Sequence, residues 1–569
     1  MNSELLGVIL MFVLTLALAI PFGKYIAKVY EGEKSLLDFF APLENFFFRI
    51  SGIDAKKEMN WKESMVALLT INLVWFLFAM FILMNQGWLP MNPDHNPSMS
   101  SDLAFNTAIS FLVNCNLQDY SGETGATYLS QLVCFTFLQF VSAATGLAAA
   151  AVVFNALKAR TTKDLGNFYN YFIKSLTRIL LPISVVVAIL FMMNGMPMTF
   201  DGKNTISSLQ GGTDTVSVST GPVAAMIPIK HLGTNGGGFF GVNSAHPFEN
   251  PNYFTNIIEM IIQLLIPMAM VFALGYYLRK KKFTWMIFGV MTLGFLCLVI
   301  PNMIMEQHGN PAIAKMGVDM SAGAMEGKEV RFGTPASAYW SIVTTVISTG
   351  SVNSFHDSFM PLSGMNEMLA MMVNAFYGGC GVGILNFFIF IIIAVFISGL
   401  MVGRTPEFLG KKIEAREMKI AVVVTLLSAL LIKGGTALAS YWFAANPVTH
   451  AGWLNNPGFH GFSEMLYQYT SSNANNGSGF EGLGDNTPFW NITAGFVMIL
   501  GRFLPIIGPV AIAGILANKK YIPESAGTLK TDTVTFGVMI FAVIFIVTAL
   551  SYFPALVLGP IAEYFSMIH

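Results

Sequence analysis

Apolar residues along this chain fall in long uninterrupted blocks and not in alternating pairs. A helix needs roughly 20 apolar residues to cross about 30 Å of hydrocarbon. Runs of that kind occupy approximately 5–22, 65–84, 132–154, 179–193, 253–278, 283–303, 384–401, 420–441, 496–516 and 534–556, the fourth being short. They predict an all-α polytopic membrane protein with about ten transmembrane helices. Glu4 precedes the first run and no Lys or Arg comes before Lys24, so that run reads as a retained anchor and not as a cleaved leader.

Loop charge gives the expected orientation, because cytoplasmic loops hold Lys and Arg. One set of alternate loops keeps only Lys203, Lys230, Lys315, Lys328 and Arg331, and Lys433 and Arg502 fall inside runs; every other Lys and Arg lies in the opposite set. Both termini are therefore expected on the extracytoplasmic side.

The outer loops carry a second pattern. Four times an apolar stretch too short to span the membrane leads into Gly, Asn, Ser and Thr: SDLAFNTAISFL into VNCNLQ, GPVAAMIPIKHL into GTNGGG, TPASAYWSIVTTVI into STGSVN, and FSEMLYQY into TSSNANNGSG. Aligning Asn116, Gly236, Gly350 and Gly477 gives steps of 120, 114 and 127 residues. One apolar run precedes and one follows each stretch, so the expected unit is helix, re-entrant pore loop, helix, repeated around a central pore with an extra helix at each end. A single integral domain, 1–569, would divide into a first helix and cytoplasmic loop (1–63), four repeats (64–154, 176–278, 283–403 and 419–516) and a last helix (533–569). Thr334 with Pro335, Ser463 and Pro222 suit the starts of the short helices.

Composition agrees with this class: 54% of 569 residues are apolar and 11% charged, with a mean hydropathy of +0.60. A net charge of −1 leaves no broad basic face for nucleic acid. Cys115, Cys134, Cys297 and Cys380 show no metal or disulfide spacing. Gly236, Gly238 and Gly241 match GxGxxG, but a dinucleotide loop follows a strand and faces the cytoplasm, whereas this one follows a Pro-containing apolar segment on the outer side. No GxxxxGK[ST] and no DKTGT is present, so nothing in the chain hydrolyses ATP.

The loop chemistry suits a dehydrated monovalent cation. Glycine lets backbone carbonyls turn inward, a ring of carbonyls replaces the ion's water, and the short helices aim their partially negative C-termini at the pore. A divalent site would recruit a carboxylate ring, and an anion path would use Arg or helix N-termini.

HLGTNGGGFFGVNSAHPFENP, STGSVNSFHDSF and the ANNGSG that follows SEMLYQYT together resemble the A-subunit family of the bacterial Kdp potassium-transporting ATPases, within the superfamily of potassium transporters. The resemblance implies a potassium-binding component of an inner-membrane import complex. It binds K+ but no covalent cofactor, and a P-type ATPase B subunit, with a C subunit and a small F subunit, supplies ATP hydrolysis. It also implies a selectivity filter of Asn114, Cys115 and Asn116; Thr234, Asn235, Gly236 and Gly237; Ser348, Thr349 and Gly350; and Asn475, Asn476 and Gly477. Gln118 matches a family position that tunes affinity. Cys115 stands where Thr is expected, and a thiol is the weaker donor.

Arg502, at membrane depth, is pore-associated in this reading, as gate, barrier or part of an exit route, or is held by a backbone carbonyl. Lys433 poses the same choice. His356 and Asp357 are expected to be solvated loop residues. Two alternatives stay open: a freestanding potassium channel or symporter, and an integral-membrane enzyme using His356 and Asp357.

Overall fold

The computed structural model describes residues 3–207, 215–523 and 530–568. Ten of its helices are long and apolar enough to cross a membrane: α1 (Leu5–Glu31), α2 (Trp61–Asn85), α4 (Ser130–Lys158), α5 (Phe168–Met193), α7 (Tyr253–Leu278), α8 (Lys281–Lys315), α11 (Val382–Met401), α12 (Ala415–Ala445), α14 (Pro488–Asn518) and α15 (Val534–Ile568). Four shorter helices each lead into one of the Gly- and Asn-rich loops, α3 (Ser101–Leu112), α6 (Val223–Leu232), α9 (Gly333–Val346) and α13 (Phe459–Ala474). A fifth, α10 (Pro361–Val373), precedes α11. Strand among the described residues is confined to two hairpins, Asn204–Ser207 with Thr215–Val218 and Glu407–Phe408 with Lys411–Lys412.

Local chemistry sets several boundaries. Asn60 caps α2, accepting from the backbone of Lys62 and Glu63 while Glu63 returns a bond, and Asn252 with Thr255 does the same for α7. The fourth span is not short. It begins at Phe168, capped by Asn167, and continues through Arg178, which would end an apolar run but is buried against Glu44 in a two-pronged pair at 2.6 and 2.7 Å. Ser463 and Thr334 do not cap their helices. Ser463 lies a turn inside α13, donating to the Phe459 carbonyl, and Thr334 donates to Ala322.

Helices α4 and α7 form the inner layer, about 89% of each span being enclosed, whereas α1 and α12 are only 22% enclosed and lie at the periphery. Close approach relies on small residues: Gly23 of α1 sits against the Ala269 carbonyl of α7.

The third repeat departs from the expected unit. Its returning segment is helix α10, then a bend from Asn374 to Gly381, then α11. Asn374, Tyr377, Gly378 and Gly381 all have positive φ there, so no helix can run through.

Candidate functional site

The short helices α3, α6, α9 and α13 end alike. Each hands over through a bond from a backbone N–H to the carbonyl five residues back: Cys115 to Ser110, Asn235 to Lys230, Thr349 to Thr344 and Asn476 to Ser471, all at 2.9 Å. The flanking residues of each loop are left-handed: Asn114 and Asn116, Thr234 and Gly236, Ser348 and Gly350, Asn475 and Gly477. Alternating hand turns successive peptide planes, so carbonyls that would otherwise point to opposite sides of the strand can face one way. Placing Asn, Ser or Thr in that conformation costs about 1–3 kcal/mol each, and neighbours compensate.

The loops close a ring. A Cβ at Gly236 would overlap the Thr349 carbonyl, one at Gly350 the Asn476 carbonyl, and one at Gly477 the Cys115 carbonyl. Three joints are thus backbone against backbone, and only glycine fits. The fourth joint uses side chains. Asn116 reaches Asn235 Oδ1 and accepts from Gln139 Nε2 at 3.1 Å. Ser142 lies within 2.8 Å of Asn114 Oδ1 and 2.9 Å of Asn235 Oδ1. Asn114 Nδ2 donates to the Thr234 carbonyl at 2.6 Å. Gln118 clasps Gly238 of the second loop with a donated and an accepted bond, at 3.1 and 2.8 Å. Cys115 packs into an apolar cluster with Ile109, Leu117 and Met498, with the Ser110 hydroxyl beside its thiol.

Beneath the ring lies the bend of the third repeat. The Cys380 N–H donates to Thr234 Oγ1 at 2.9 Å and its thiol approaches the Leu232 carbonyl. Asn374 accepts from Ser348 and donates to the Ala474 carbonyl, while Gly381 abuts Gly146 of α4. The bend is therefore fastened to all four repeats. Arg502, buried in α14, donates to the Ser142 carbonyl at 3.0 Å and approaches Gly146, at the same level. Lys433, the other cation that the sequence places inside an apolar run, is different: it is exposed on α12. A cavity of about 70 Å³, lined by Asn374, Asn386, Ser428, Asn473 and Tyr552 among others, opens beside the bend.

Several charged residues of the outer segments are enclosed. Lys230, in the last turn of α6, pairs with Glu249 at 2.7 Å and also contacts Asn243, which in turn donates to the Gly236 carbonyl. His231 pairs with Glu259 and Lys328 with Glu306. His356 and Asp357 are also buried, against the sequence expectation. Burial, and after it the Lys328 charge, pushes the His356 imidazole down to about 3, so it is neutral and hydrogen-bonds with Tyr467. Beside the first and fourth loops, burial and the Asp485 carboxylate push the Asp119 carboxyl well up, and burial raises Asp485 as well.

Four re-entrant loops carried by one chain and closed into a ring define the class, a pseudo-fourfold pore-loop membrane transporter. The crystal structure of the potassium transporter TrkH from Vibrio parahaemolyticus has this fold in common with the chain, at a TM-score of 0.51 and 15% identity, covering 89% of this chain and 98% of that one. The chain belongs to the family described as potassium-transporting ATPase A subunit, whose pattern it matches over residues 9–565. It is 68% identical over the full length of both chains to a protein of Flavobacterium psychrophilum, and 60% identical over the full length of both to one of Phocaeicola vulgatus. It is 47% identical over 98% of both to one of Geobacillus kaustophilus; all three are named potassium-transporting ATPase potassium-binding subunit.

Proposed function

We propose that this chain is the potassium-binding, non-hydrolytic component of an ATP-driven potassium importer, and that the four-loop ring is its selectivity filter. The observation that carries this is the repeated pair of left-handed residues in each loop, which can stack carbonyls around one axis to replace the hydration shell of K+. Asn114, Cys115, Asn116, Thr234, Asn235, Gly236, Gly237, Ser348, Thr349, Gly350, Asn475, Asn476 and Gly477 would contribute that backbone. Gln118 would hold the first loop to the second, and Arg502 with the Asn374–Gly381 bend would form the floor that keeps the ion from passing straight through.

In this reading ATP is used by a P-type B subunit, and the C and F subunits complete the complex. The chain sits in the bacterial inner membrane with both termini and the ring mouth extracytoplasmic. A floor fastened to all four repeats favours such a coupled role over a freestanding channel.

The test is thermal stability of the purified protein titrated with K+ and with Na+, since a ligand specific to the native state stabilises it by RT ln(1 + [L]/Kd). K+ should raise the melting temperature where equal Na+ does not, and Gly236→Asp should abolish the difference. Equal responses to both ions, or a K+ response that survives the substitution, would overturn the filter. Potassium flux into liposomes from this chain alone would instead establish the freestanding reading.

A further inference from the structure

A second cluster of ligand-type side chains lies outside the ring, where the third and fourth repeats meet the end of α15. His460 and Glu464 sit four residues apart in the first turns of α13, so they project from one face. Asp357 reaches them from the short turn after the third loop. One ligand atom from each lies within 4.8 Å of the others. His460 Nε2 is 2.9 Å from Asp357 Oδ1, and its Nδ1 is 2.7 Å from Glu563 Oε1. Glu464 is fully buried, and its Oε2 has no hydrogen-bond partner. Among the described residues no Lys or Arg pairs with Asp357, Glu464 or Glu563.

A buried carboxylate oxygen with no hydrogen-bond donor is costly, and His460 alone faces three carboxylates, so a divalent ion supplies the missing partner and charge. Two carboxylates and a neutral imidazole balance its charge. The mixed nitrogen and oxygen set suits zinc and its first-row neighbours, whereas calcium and magnesium take all-oxygen shells. Glu563 stands where metal-binding histidines usually have a supporting carboxylate, on the ring nitrogen away from the ion.

We propose that Asp357, His460 and Glu464 form a binding site for a zinc-class divalent cation on the side of the membrane that carries the four loops, with Glu563 positioning the histidine. Binding there exchanges the proton on His460 Nε2 for the metal and joins the third loop to the fourth short helix. The consequence reaches the ring: beside Asp357, His356 bonds to Tyr467, Tyr467 to Ser478, and Ser478 donates to Asn476 Oδ1 at 2.6 Å. Metal at the cluster would stiffen the mouth of the fourth loop.

The test uses the tag-free complex, stripped with chelator and titrated with Zn2+ by calorimetry, together with X-ray absorption at the zinc edge. One Zn2+ per chain with a nitrogen and oxygen shell that includes imidazole is expected. Binding should weaken about 10- to 100-fold in Glu563→Gln and disappear in Glu464→Gln and in His460→Ala. If those variants fail to fold, the absorption spectrum of the unaltered complex decides. A shell without imidazole, an affinity unchanged by Glu464→Gln, or displacement of Zn2+ by equimolar Ca2+ would each overturn the proposal.

Discussion

The helices that return from the first and third loops start from equivalent positions and end as different objects. Helix α4 runs unbroken from Ser130 to Lys158 with Gly146 as its one glycine. The third return stops after α10 and restarts at α11, across a bend holding Gly378, Gly379 and Gly381, with Gly383 just beyond. The continuous helix works from the side, presenting Gln139 and Ser142 to the first two loops. The broken one works from below, offering backbone to Thr234 and the Asn374 side chain to Ser348 and Ala474. They meet at Gly146 and Gly381, where the absence of side chains on both lets the floor lie against the wall. Glycine content thus decides whether a returning segment is a wall or a floor.

The contrast breaks most completely at Gly381. Gly381→Val forces a β-branched residue into a left-handed position already filled by the Gly146 carbonyl. Overpacking plus strain should cost about 2–6 kcal/mol, seen as failure to accumulate in the membrane or as a large fall in melting temperature. Next comes Gly350→Ala in the ring, where about 1–3 kcal/mol of strain against the Asn476 carbonyl should weaken K+ binding about 10- to 100-fold. The mirror substitution, Asn116→Gly, should change K+ affinity less than about tenfold, since that joint closes through side chains and Asn already tolerates its conformation. Potassium titration of thermal stability reads both.

Ser142→Ala removes the hydroxyl between Asn114 and Asn235 and isolates the wall's contribution. A loss of about 1–2 kcal/mol is expected, or roughly tenfold in K+ affinity, with the floor intact.

The smallest effect lies at Asp119. Its folded carboxyl titrates above the ordinary 3.8 because of burial and the Asp485 charge. A raised carboxyl contributes stability that is present below the unfolded value and lost as pH rises through the folded one. Asp119→Asn should therefore be more heat-stable than the parent at neutral pH, with the advantage vanishing below about pH 4. An advantage that grew on acidification would contradict the burial argument.

Much of this organisation was legible in the sequence because it rests on local signals. Apolar blocks mark all ten spans, nine of them at near membrane length, and the even spacing of Asn116, Gly236, Gly350 and Gly477 exposes the repeat. What escaped depends on tertiary contact. The GGCGVG stretch resembles an ordinary start to an apolar run, and only its neighbours show that it passes under the ring. Ser471, Ser472 and Asn473 suggest a loop, yet they prolong α13 because packing buries them. His356 and Asp357 read as solvated loop residues, since nothing near them in sequence announces that Glu367 or His460 will meet them in space. The filter positions themselves are legible through their motif, because Gly, Asn, Ser and Thr cluster there after each short apolar stretch.

The uneven joint at Asn116 has a consequence for how such a pore can change over generations. An assembly of identical chains alters every corner whenever it alters one. Here each corner is encoded separately, so a mutation can retune the place where the first loop meets the second while the other three contacts keep their tight backbone fit. Ion preference can then drift in small steps, with the vulnerable glycines held constant.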